Sequence, residues 1–166
     1  SDLDDLVQFM AEMPEIGGPV LFAGFGPSGD FKDSKKYVMF GVAGRFSVDD
    51  KNEDLLAEGP GDTRFEAYRT YIHDMLVVAG YDPDTAAGMA ETVLQIETEM
   101  FAAKLTPQEK VDPRVFYNPT TLADLQAQIP ELDIAAYIER VGYEVPETII
   151  VAEPRFFPVL SKMFRE

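Results

Sequence analysis

The stretch Thr63–Leu105 constrains the fold more than any other part of this sequence. Apolar residues recur in both of its halves at alternating spacings of three and four, which places them along one stripe of a helix. Gly80-Tyr81-Asp82-Pro83 separates the two halves. Two apolar stripes joined by so short a turn predict two long helices that pack as an antiparallel pair. The first stripe is Phe65, Tyr68, Ile72, Met75 and Ala79; the second is Met89, Val93, Ile96, Met100 and Ala103, with Ala90, Leu94 and Phe101 beside it.

The ends of these two helices carry residues typical of helix caps. Thr63 and Glu66 match the Ser/Thr-x-x-Glu capping box at the start of the first helix. Gly80 can adopt the positive φ that often follows a last helical turn. Asp82 is predicted to cap the second helix, with Pro83 at its first position. We therefore predict a mainly α fold, a helical bundle built on this pair.

The segment before the pair predicts a small β-hairpin near the N-terminus. After a helix over residues 1–13, short strands are predicted at 19–26 and 36–42. Turn-forming residues at 27–34 separate them, and the Gly- and Pro-rich segment 44–62 predicts a surface loop.

Shorter helices are predicted after the pair. One begins at Thr120 or Thr121, one at Asp133 and one at Pro154, and Thr148–Val151 is predicted as a strand or an extended connector. Asn118-Pro119 punctuates this region. We expect a single domain over 1–166, with a β-containing part over 1–62 and a helical part over 63–166.

Composition excludes several classes of partner. The chain has 166 residues and a formal net charge of −16, so phosphate backbones and anionic lipid surfaces would repel it. Nucleic acid and membrane partners are therefore not expected. The absence of cysteine excludes disulfides and thiolate zinc sites. We expect a cytoplasmic protein, with secretion left open, and a start at Ser1 without methionine is expected of a segment cut from a longer chain.

One glycine-rich motif raises the possibility of a dinucleotide site. Gly24-Phe25-Gly26-Pro27-Ser28-Gly29 matches G-x-G-x-x-G and follows a predicted strand. That chemistry needs a helix to open directly after the glycines, so that its N-terminus receives the pyrophosphate. The continuation Asp30–Lys36 has no apolar helical stripe, and Pro27 removes one N–H group. A hairpin turn is favoured.

Other candidate residues are favoured as structural. His73 is the only histidine, and position i+4 is Val77, so the His-Glu-x-x-His zinc pattern is not present. Asp49–Asp54 departs from a calcium-binding loop at two positions and predicts a solvated acidic loop. Glu97 lies on an apolar helix face and is expected to be semi-buried and paired. We therefore assign no catalytic, cofactor-binding or metal-binding residue.

Several segments together resemble the N-terminal helical region of the neprilysin-like (M13) zinc metallopeptidases. The similar stretches lie between residues 64 and 164 and occur in the family's order; over 1–62 the resemblance is weaker, and Gly44-Arg45-Phe46-Ser47 departs from the family's segment there. The matching stretches are Tyr71–Leu76 with Ala79-Gly80, Ala90–Thr98, Asp112-Pro113, Tyr117–Leu125, Ile149–Val151 and Phe156-Phe157.

The resemblance implies a part of a larger enzyme. In such peptidases a catalytic domain carries the zinc-binding His-Glu-x-x-His helix, and the N-terminal domain caps it, enclosing a cavity that admits oligopeptides. The implied partners are thus the catalytic domain of the same polypeptide and oligopeptide substrates, with zinc held outside this chain. Asn118-Pro119-Thr120 and Glu97 are implied to be structural, Glu97 as a buried ion-pair partner.

Two other hypotheses remain. One is a free-standing helical binding or regulatory module without peptidase activity. The other is an independent nucleotide-binding enzyme that uses residues 24–29. The length of the natural gene product distinguishes the first from a peptidase cap, and a nucleotide-dependent melting temperature would support the second.

Overall fold

The computed structural model describes residues 2–13, 17, 19–48 and 51–165, and its α-helices and small sheet confirm a mainly α fold. Two compact units are formed, one by residues 46–103 and one by 1–45 with 104–166. The single domain expected over 1–166 stays a prediction. The helices are α1 Asp2–Glu12, α2 Leu55–Glu58, α3 Thr63–Val78, α4 Pro83–Ala103, α5 Leu122–Gln128, α6 Ile134–Arg140 and α7 Phe156–Arg165; the strands are β1 Ala23–Gly29, β2 Tyr37–Ala43, β3 Asn118–Thr121 and β4 Thr148–Val151.

In the unit 46–103, α3 begins one residue earlier than the predicted capping box places it. Asp62 is the N-cap, and its carboxylate accepts hydrogen bonds from the N–H groups of Arg64 and Phe65. Glu66 reaches back to the N–H of Gly61 at 2.9 Å. The predicted role of Thr63 is therefore wrong, because aspartate takes the capping position. Asp82 caps α4 as predicted, through bonds from the Thr85 N–H and hydroxyl.

The buried faces of α3 and α4 differ in part from the predicted stripes. Phe65, Tyr68 and Ile72 are buried as expected, whereas Met75 is half exposed. On α4, Met100 and Ala103 are buried as predicted, whereas before them the buried face is shifted by one position, so that small side chains and one carboxylate lie inward. That face consists of Ala86, Ala90, Leu94, Glu97, Met100 and Ala103.

In the other unit, the predicted β-hairpin is present but shifted along the chain. β1 pairs antiparallel with β2 over seven residues, from Ala23 opposite Ala43 to Gly29 opposite Tyr37. The predicted turn residues 27–29 therefore belong to the strand, and the turn is at 30–36. Pro27 is tolerated because β1 lies at an edge of the described sheet, where a strand can lack a ladder donor.

Two strands join the hairpin from later in the sequence. The order is β1-β2-β4-β3, with β4 parallel to β2 and antiparallel to β3. The sheet thus takes two of its strands from residues after 63, and the expected division into a β-containing part over 1–62 and a helical part over 63–166 stays a prediction. Asn118-Pro119 begins β3 instead of punctuating a loop, and Thr148–Val151 is a strand as predicted. Tertiary pairing decides this, because four-residue strands carry little periodicity.

The sheet and the helices of this unit share a common core. Phe25 of β1 packs edge-on to Tyr137 of α6, with ring centroids 5.6 Å apart, and also contacts Phe157 of α7. Thr121 caps α5 and Asp133 caps α6 through their side chains, as predicted. β4, α5, α6 and α7 contribute many of the most buried side chains: Leu125, Ile134, Tyr137, Ile138, Ile149, Phe156, Phe157 and Leu160.

Candidate functional site

The glycine-rich motif lies within β1 and is not followed by a helix. Gly24 to Gly29 are all paired with β2, and the next regular element after the 30–36 turn is β2 itself. No helix therefore begins directly after the glycines, and the motif lacks the strand–turn–helix arrangement that a pyrophosphate requires. The structure excludes a dinucleotide fingerprint at this position. It also corrects the favoured alternative, because these residues form a strand and not a turn.

His73 and the acidic segment have local partners. His73 Nδ1 lies 3.0 Å from Asp74 Oδ1, and the side chain is partly exposed on α3. Asp49 and Asp50 of the expected acidic loop lie outside the described residues. Asp54 binds the Arg64 guanidinium through both carboxylate oxygens, at 3.3 and 3.0 Å. Within the described ranges, no three His, Cys, Asp or Glu side chains are grouped as metal ligands.

Glu97 is the most buried acidic side chain of the 46–103 unit that the structure describes. It is 5% exposed. Its Oε1 accepts from the N–H and the hydroxyl of Ser47, at 2.6 and 2.7 Å, and its Oε2 accepts from the hydroxyl of Tyr68 at 2.6 Å. Burial, and then the bond to Glu97, raise the pKa of Tyr68.

The expectation of an ion pair at Glu97 is therefore corrected. The hydrogen-bond donors given for it are the neutral groups of Ser47 and Tyr68, in place of the expected cation. The segment around Ser47, α3 and α4 meet at this carboxylate. Because both of its oxygens accept hydrogen bonds from these groups, the carboxylate holds the three segments together.

A second group of carboxylates, Glu153 and Glu109, lies in the other unit. Glu153, which is 8% exposed, accepts a hydrogen bond from the N–H of Leu105 at 2.9 Å. Nearby, Glu109 accepts from the N–H and hydroxyl of Thr106, and Arg155 Nη2 lies 2.9 Å from Glu109 Oε2. The Thr106 N–H bond first, and Arg155 next, lower the pKa of Glu109 to about 2. These groups fix the chain just after α4.

Asn118, implied by the resemblance to be structural, has a structural role. Its Nδ2 donates to the carbonyl of Val115 at 2.7 Å and to the carbonyl of Val151 at 2.9 Å. The side chain thus ties the start of β3 to the end of β4. Thr120 has no capping role, because Thr121 accepts the bond from the N–H of Asp124.

A concave surface of about 470 Å³ lies beside the edge strand β1. Gly26 leaves space there, since a Cβ added at this position would meet no heavy atom within 4 Å, whereas one added at Gly24 would lie 2.5 Å from a Val20 methyl carbon. The lining is mainly apolar and aromatic, so this surface could bind an apolar group. Its lining residues are Val20, Gly24, Phe25, Gly26, Pro27, Ser28, Phe40, Val42, Tyr137, Val141 and Tyr143.

A smaller concave surface, the Phe31–Tyr117 pocket, has a different chemistry. It has a volume of about 410 Å³ and is lined by Phe31, Lys32, Pro113, Arg114 and Tyr117. Lys32 Nζ lies 4.1 Å from the centroid of the Tyr117 ring. Two aromatic rings and two cations thus converge on one cavity. From sequence, only the basic and aromatic residues of 31–36 hinted at it, because Arg114 and Tyr117 are distant in the chain.

Membrane insertion through a helix finds no support in the described part of the chain. None of its helices combines the length and the hydrophobicity that crossing a bilayer requires.

The comparisons with known proteins all point to one family. The model of the N-terminal part of Peptidase family M13 matches residues 1–166. A protein of Streptococcus gordonii, named as a zinc metalloproteinase of the scaA 5′ region, is 24% identical over 144 residues, which cover 77% of this chain and 25% of that protein. The chain thus spans about a quarter of this relative's length.

Solved structures share the fold. The zinc metalloprotease Zmp1 of Mycobacterium tuberculosis in its open state matches with a TM-score of 0.83 at 20% identity, over 99% of this chain and 25% of that one. The same protein in complex with an inhibitor matches with a TM-score of 0.80 at 20% identity, over 98% of this chain and 25% of that one. PepO from Lactobacillus rhamnosis HN001 matches with a TM-score of 0.66 at 15% identity, over 97% of this chain and 25% of that one. At these identities the likeness shows the fold.

Proposed function

The chain belongs to peptidase family M13, and from this membership we propose that it is the non-catalytic N-terminal cap domain of a neprilysin-like zinc metalloendopeptidase. The observation that carries the proposal is the match of the family's N-terminal model to all 166 residues. The chain covers about a quarter of each relative with which it was compared. In this proposal the catalytic domain is a further part of the same polypeptide.

The proposed role of the domain is to enclose a cavity over the catalytic domain and to restrict substrates to oligopeptides. A cap that selects by size must hold its shape, and the described residues suit that requirement. The buried carboxylates of Glu97 and Glu153 each join segments that are about 50 residues apart in sequence. Such buried, satisfied polar contacts favour one arrangement of the chain over looser alternatives.

We further propose that α3 and α4 form the long antiparallel pair on which the cap is built. Tyr68, in the first half of α3, donates to Glu97, near the end of α4. Arg69 Nε lies 2.9 Å from Glu91 Oε1, which is a second link between the helices. Only residues 79–82 separate them. A contact between the beginning of one helix and the end of the next supports opposite directions.

Zinc in this proposal belongs to the catalytic domain. The residues of the present chain do not fit a zinc site, since its one histidine cannot supply the His-Glu-x-x-His pair and its described acidic side chains are not grouped as ligands. We therefore derive no step of peptide hydrolysis from these residues. In this proposal they help to enclose the cavity and to exclude folded proteins from it.

The first test is the intact mass of the native gene product. A polypeptide several times heavier than the 18.5 kDa of this chain, with a His-Glu-x-x-His helix downstream, is expected. A native product near 18.5 kDa would instead support a free-standing helical binding or regulatory module. Tight, stoichiometric zinc binding by residues 1–166 would also contradict the cap assignment.

The second test concerns size selection by the full-length protein. Cleavage should be measured on a ladder of peptides that share one cleavable sequence and differ in length, together with a folded protein that carries the same sequence in an exposed loop. We expect the short peptides to be cleaved and the folded protein to be resistant, because it cannot enter an enclosed cavity. Unfolding that substrate beforehand is the matched control. Equal cleavage of the folded and the unfolded substrate would refute the restricting role.

A further inference from the structure

We propose that the Phe31–Tyr117 pocket is an accessory site that binds a carboxylate next to an aromatic ring, in an oligopeptide. The site would hold a part of the substrate away from the bond that is cleaved. This inference rests on the proposed function, because it assigns the pocket to peptides that the full-length enzyme takes up. The assignment follows from the rings, the cations and the overall charge of the chain.

The aromatic surface of the pocket is exposed and yet held in place. Phe31 is 62% exposed. Its ring centroid nevertheless lies 5.2 Å from that of Phe40 and 6.2 Å from that of Tyr117. Tyr117 in turn lies beside the Asp30 carboxylate, which together with burial raises the pKa of its hydroxyl. A ring fixed by two other rings can offer apolar contact at low conformational cost, which favours an aromatic or other flat group as ligand.

The cations of the pocket make its chemistry anion-binding. Lys32 Nζ lies over the Tyr117 ring, and within the described residues no carboxylate oxygen lies within 4.0 Å of it. Arg114 is held by Asp112 through Nε at 2.9 Å and Nη2 at 2.7 Å, so its Nη1 is not used in that pair. A ligand carboxylate placed against Lys32 would gain a charge-assisted hydrogen bond.

The charge of the whole chain makes this pocket distinctive. Thirty Asp and Glu residues against fourteen Lys and Arg residues give the net charge of −16. On such a surface an acidic peptide is generally repelled, and it gains most where an amine is not held in a short ion pair. Lys32 lies over the Tyr117 ring inside a cavity, where the Asp30 carboxylate attracts it without forming a short ion pair among the described residues. The pocket therefore complements the acidic end of a peptide.

The size of the pocket agrees with a ligand of one or two side chains. Its volume of about 410 Å³ lies in the range of roughly 300–1,000 Å³ that is usual for small-ligand sites. Two sources supply the required chemistry in a peptide. One is an Asp or Glu side chain beside Phe or Tyr, and the other is the terminal carboxylate of a peptide that ends in Phe or Tyr.

The test measures the binding of fluorescently labelled peptides to the full-length protein by anisotropy, with a zinc chelator present to prevent cleavage. Three peptides of one sequence are compared. The first has an internal Glu-Phe and an amidated end, the second has Gln-Phe and an amidated end, and the third has Gln-Phe and a free terminal carboxylate. The protein variants are Lys32→Gln, Phe31→Ala and the matched control Lys35→Gln, which removes a charge from the same turn without altering the pocket lining.

We expect wild-type protein to bind at least one of the two carboxylate peptides more tightly than the fully amidated one. Lys32→Gln should abolish that preference, a change of about fivefold in Kd, since an exposed ion pair contributes up to about 1 kcal/mol. Phe31→Ala should weaken the binding of all three peptides. Lys35→Gln should leave the preference unchanged, and thermal melting should confirm that every variant is folded.

The proposal is overturned if the three peptides bind wild-type protein equally, if none of them binds, or if Lys32→Gln and Lys35→Gln reduce the preference to the same extent. The last result would indicate general attraction by the turn and not a site. Failure of the proposed function is a separate outcome. It is read from the absence of cleavage without the chelator, and it leaves the binding measurement valid.

Discussion

The buried carboxylate of Glu97 provides the sharpest test of how the 46–103 unit is held together. Tyr68→Phe removes one hydroxyl and keeps the ring, so it deletes the 2.6 Å bond to Glu97 Oε2 with little change in packing. Tyr68 is 7% exposed and Glu97 is 5% exposed, so water has little access to replace the lost donor. A hydrogen bond to a charged group contributes about 1.5–3 kcal/mol.

We therefore expect Tyr68→Phe to lower the free energy of unfolding by about 2 kcal/mol. Glu97→Gln should lower it by less, about 1 kcal/mol, because the amide oxygen still accepts from Ser47 and the tyrosine hydroxyl can accept from the amide nitrogen. The double variant should differ from the sum of the two, since both changes act on the same bond.

Urea unfolding followed by circular dichroism measures these differences, and hydrogen exchange of the Ser47 amide reports on the site itself. The matched control is Tyr71→Phe, three residues along the same helix, where the ring is 56% exposed and the hydroxyl has no such partner among the described residues. That control should stay within about 0.5 kcal/mol of wild type. Equal effects of Tyr68→Phe and Tyr71→Phe would refute the assigned role of the bond.

Three further predictions concern pH and backbone contacts. Because the pKa of Tyr68 is raised, Tyr68→Phe should not reduce the phenolate absorbance that develops near pH 10. The stability that depends on Tyr68 should be complete below the unfolded pKa of tyrosine and should fall as pH rises above it. The pKa of Glu109 is lowered from 4.5 to about 2, so its contribution to stability is present above pH 4.5 and is lost as pH falls toward 2. The difference in urea midpoint between wild type and Glu109→Gln should therefore shrink as pH falls from 4.5 to 2. Gly44→Ala should destabilise the chain by about 1–3 kcal/mol in urea unfolding, because the added carbon would overlap a neighbouring backbone segment, whereas Gly26→Ala, which meets open space, should cost less.

The sequence predicted helices well where periodicity was long and capping residues were present. α3 and α4 begin and end within one or two residues of their predicted limits, since each spans several turns of apolar repeat. It was less accurate at the cap of α3, where Asp62 and Thr63 are neighbouring residues that can both cap a helix. The first part of the predicted stripe of α4 was one residue off for a related reason, because neighbouring apolar residues there fit either face, whereas Met100 and Ala103 were predicted correctly.

Sites formed by distant residues were beyond such reasoning. Glu97 was expected to be paired, but its partners Ser47 and Tyr68 are 50 and 29 residues away, and no local pattern identifies them. The Phe31–Tyr117 pocket likewise joins the β1–β2 turn to a segment some 80 residues later. Sequence spacing describes neighbours on one helix or strand, and says little about which elements meet.

The sequence by itself determined the mainly α character, most of the helix limits, the strand at 148–151 and, through its resemblance, the family. These properties rest on local periodicity, turn residues and motif order, which are all written along the chain. Only the tertiary structure decided that β3 and β4 complete a sheet with the N-terminal hairpin and that neutral donors surround Glu97. Those outcomes depend on strand pairing and burial between segments that are distant in sequence. Such contacts stabilise the protein only after folding has brought the segments together.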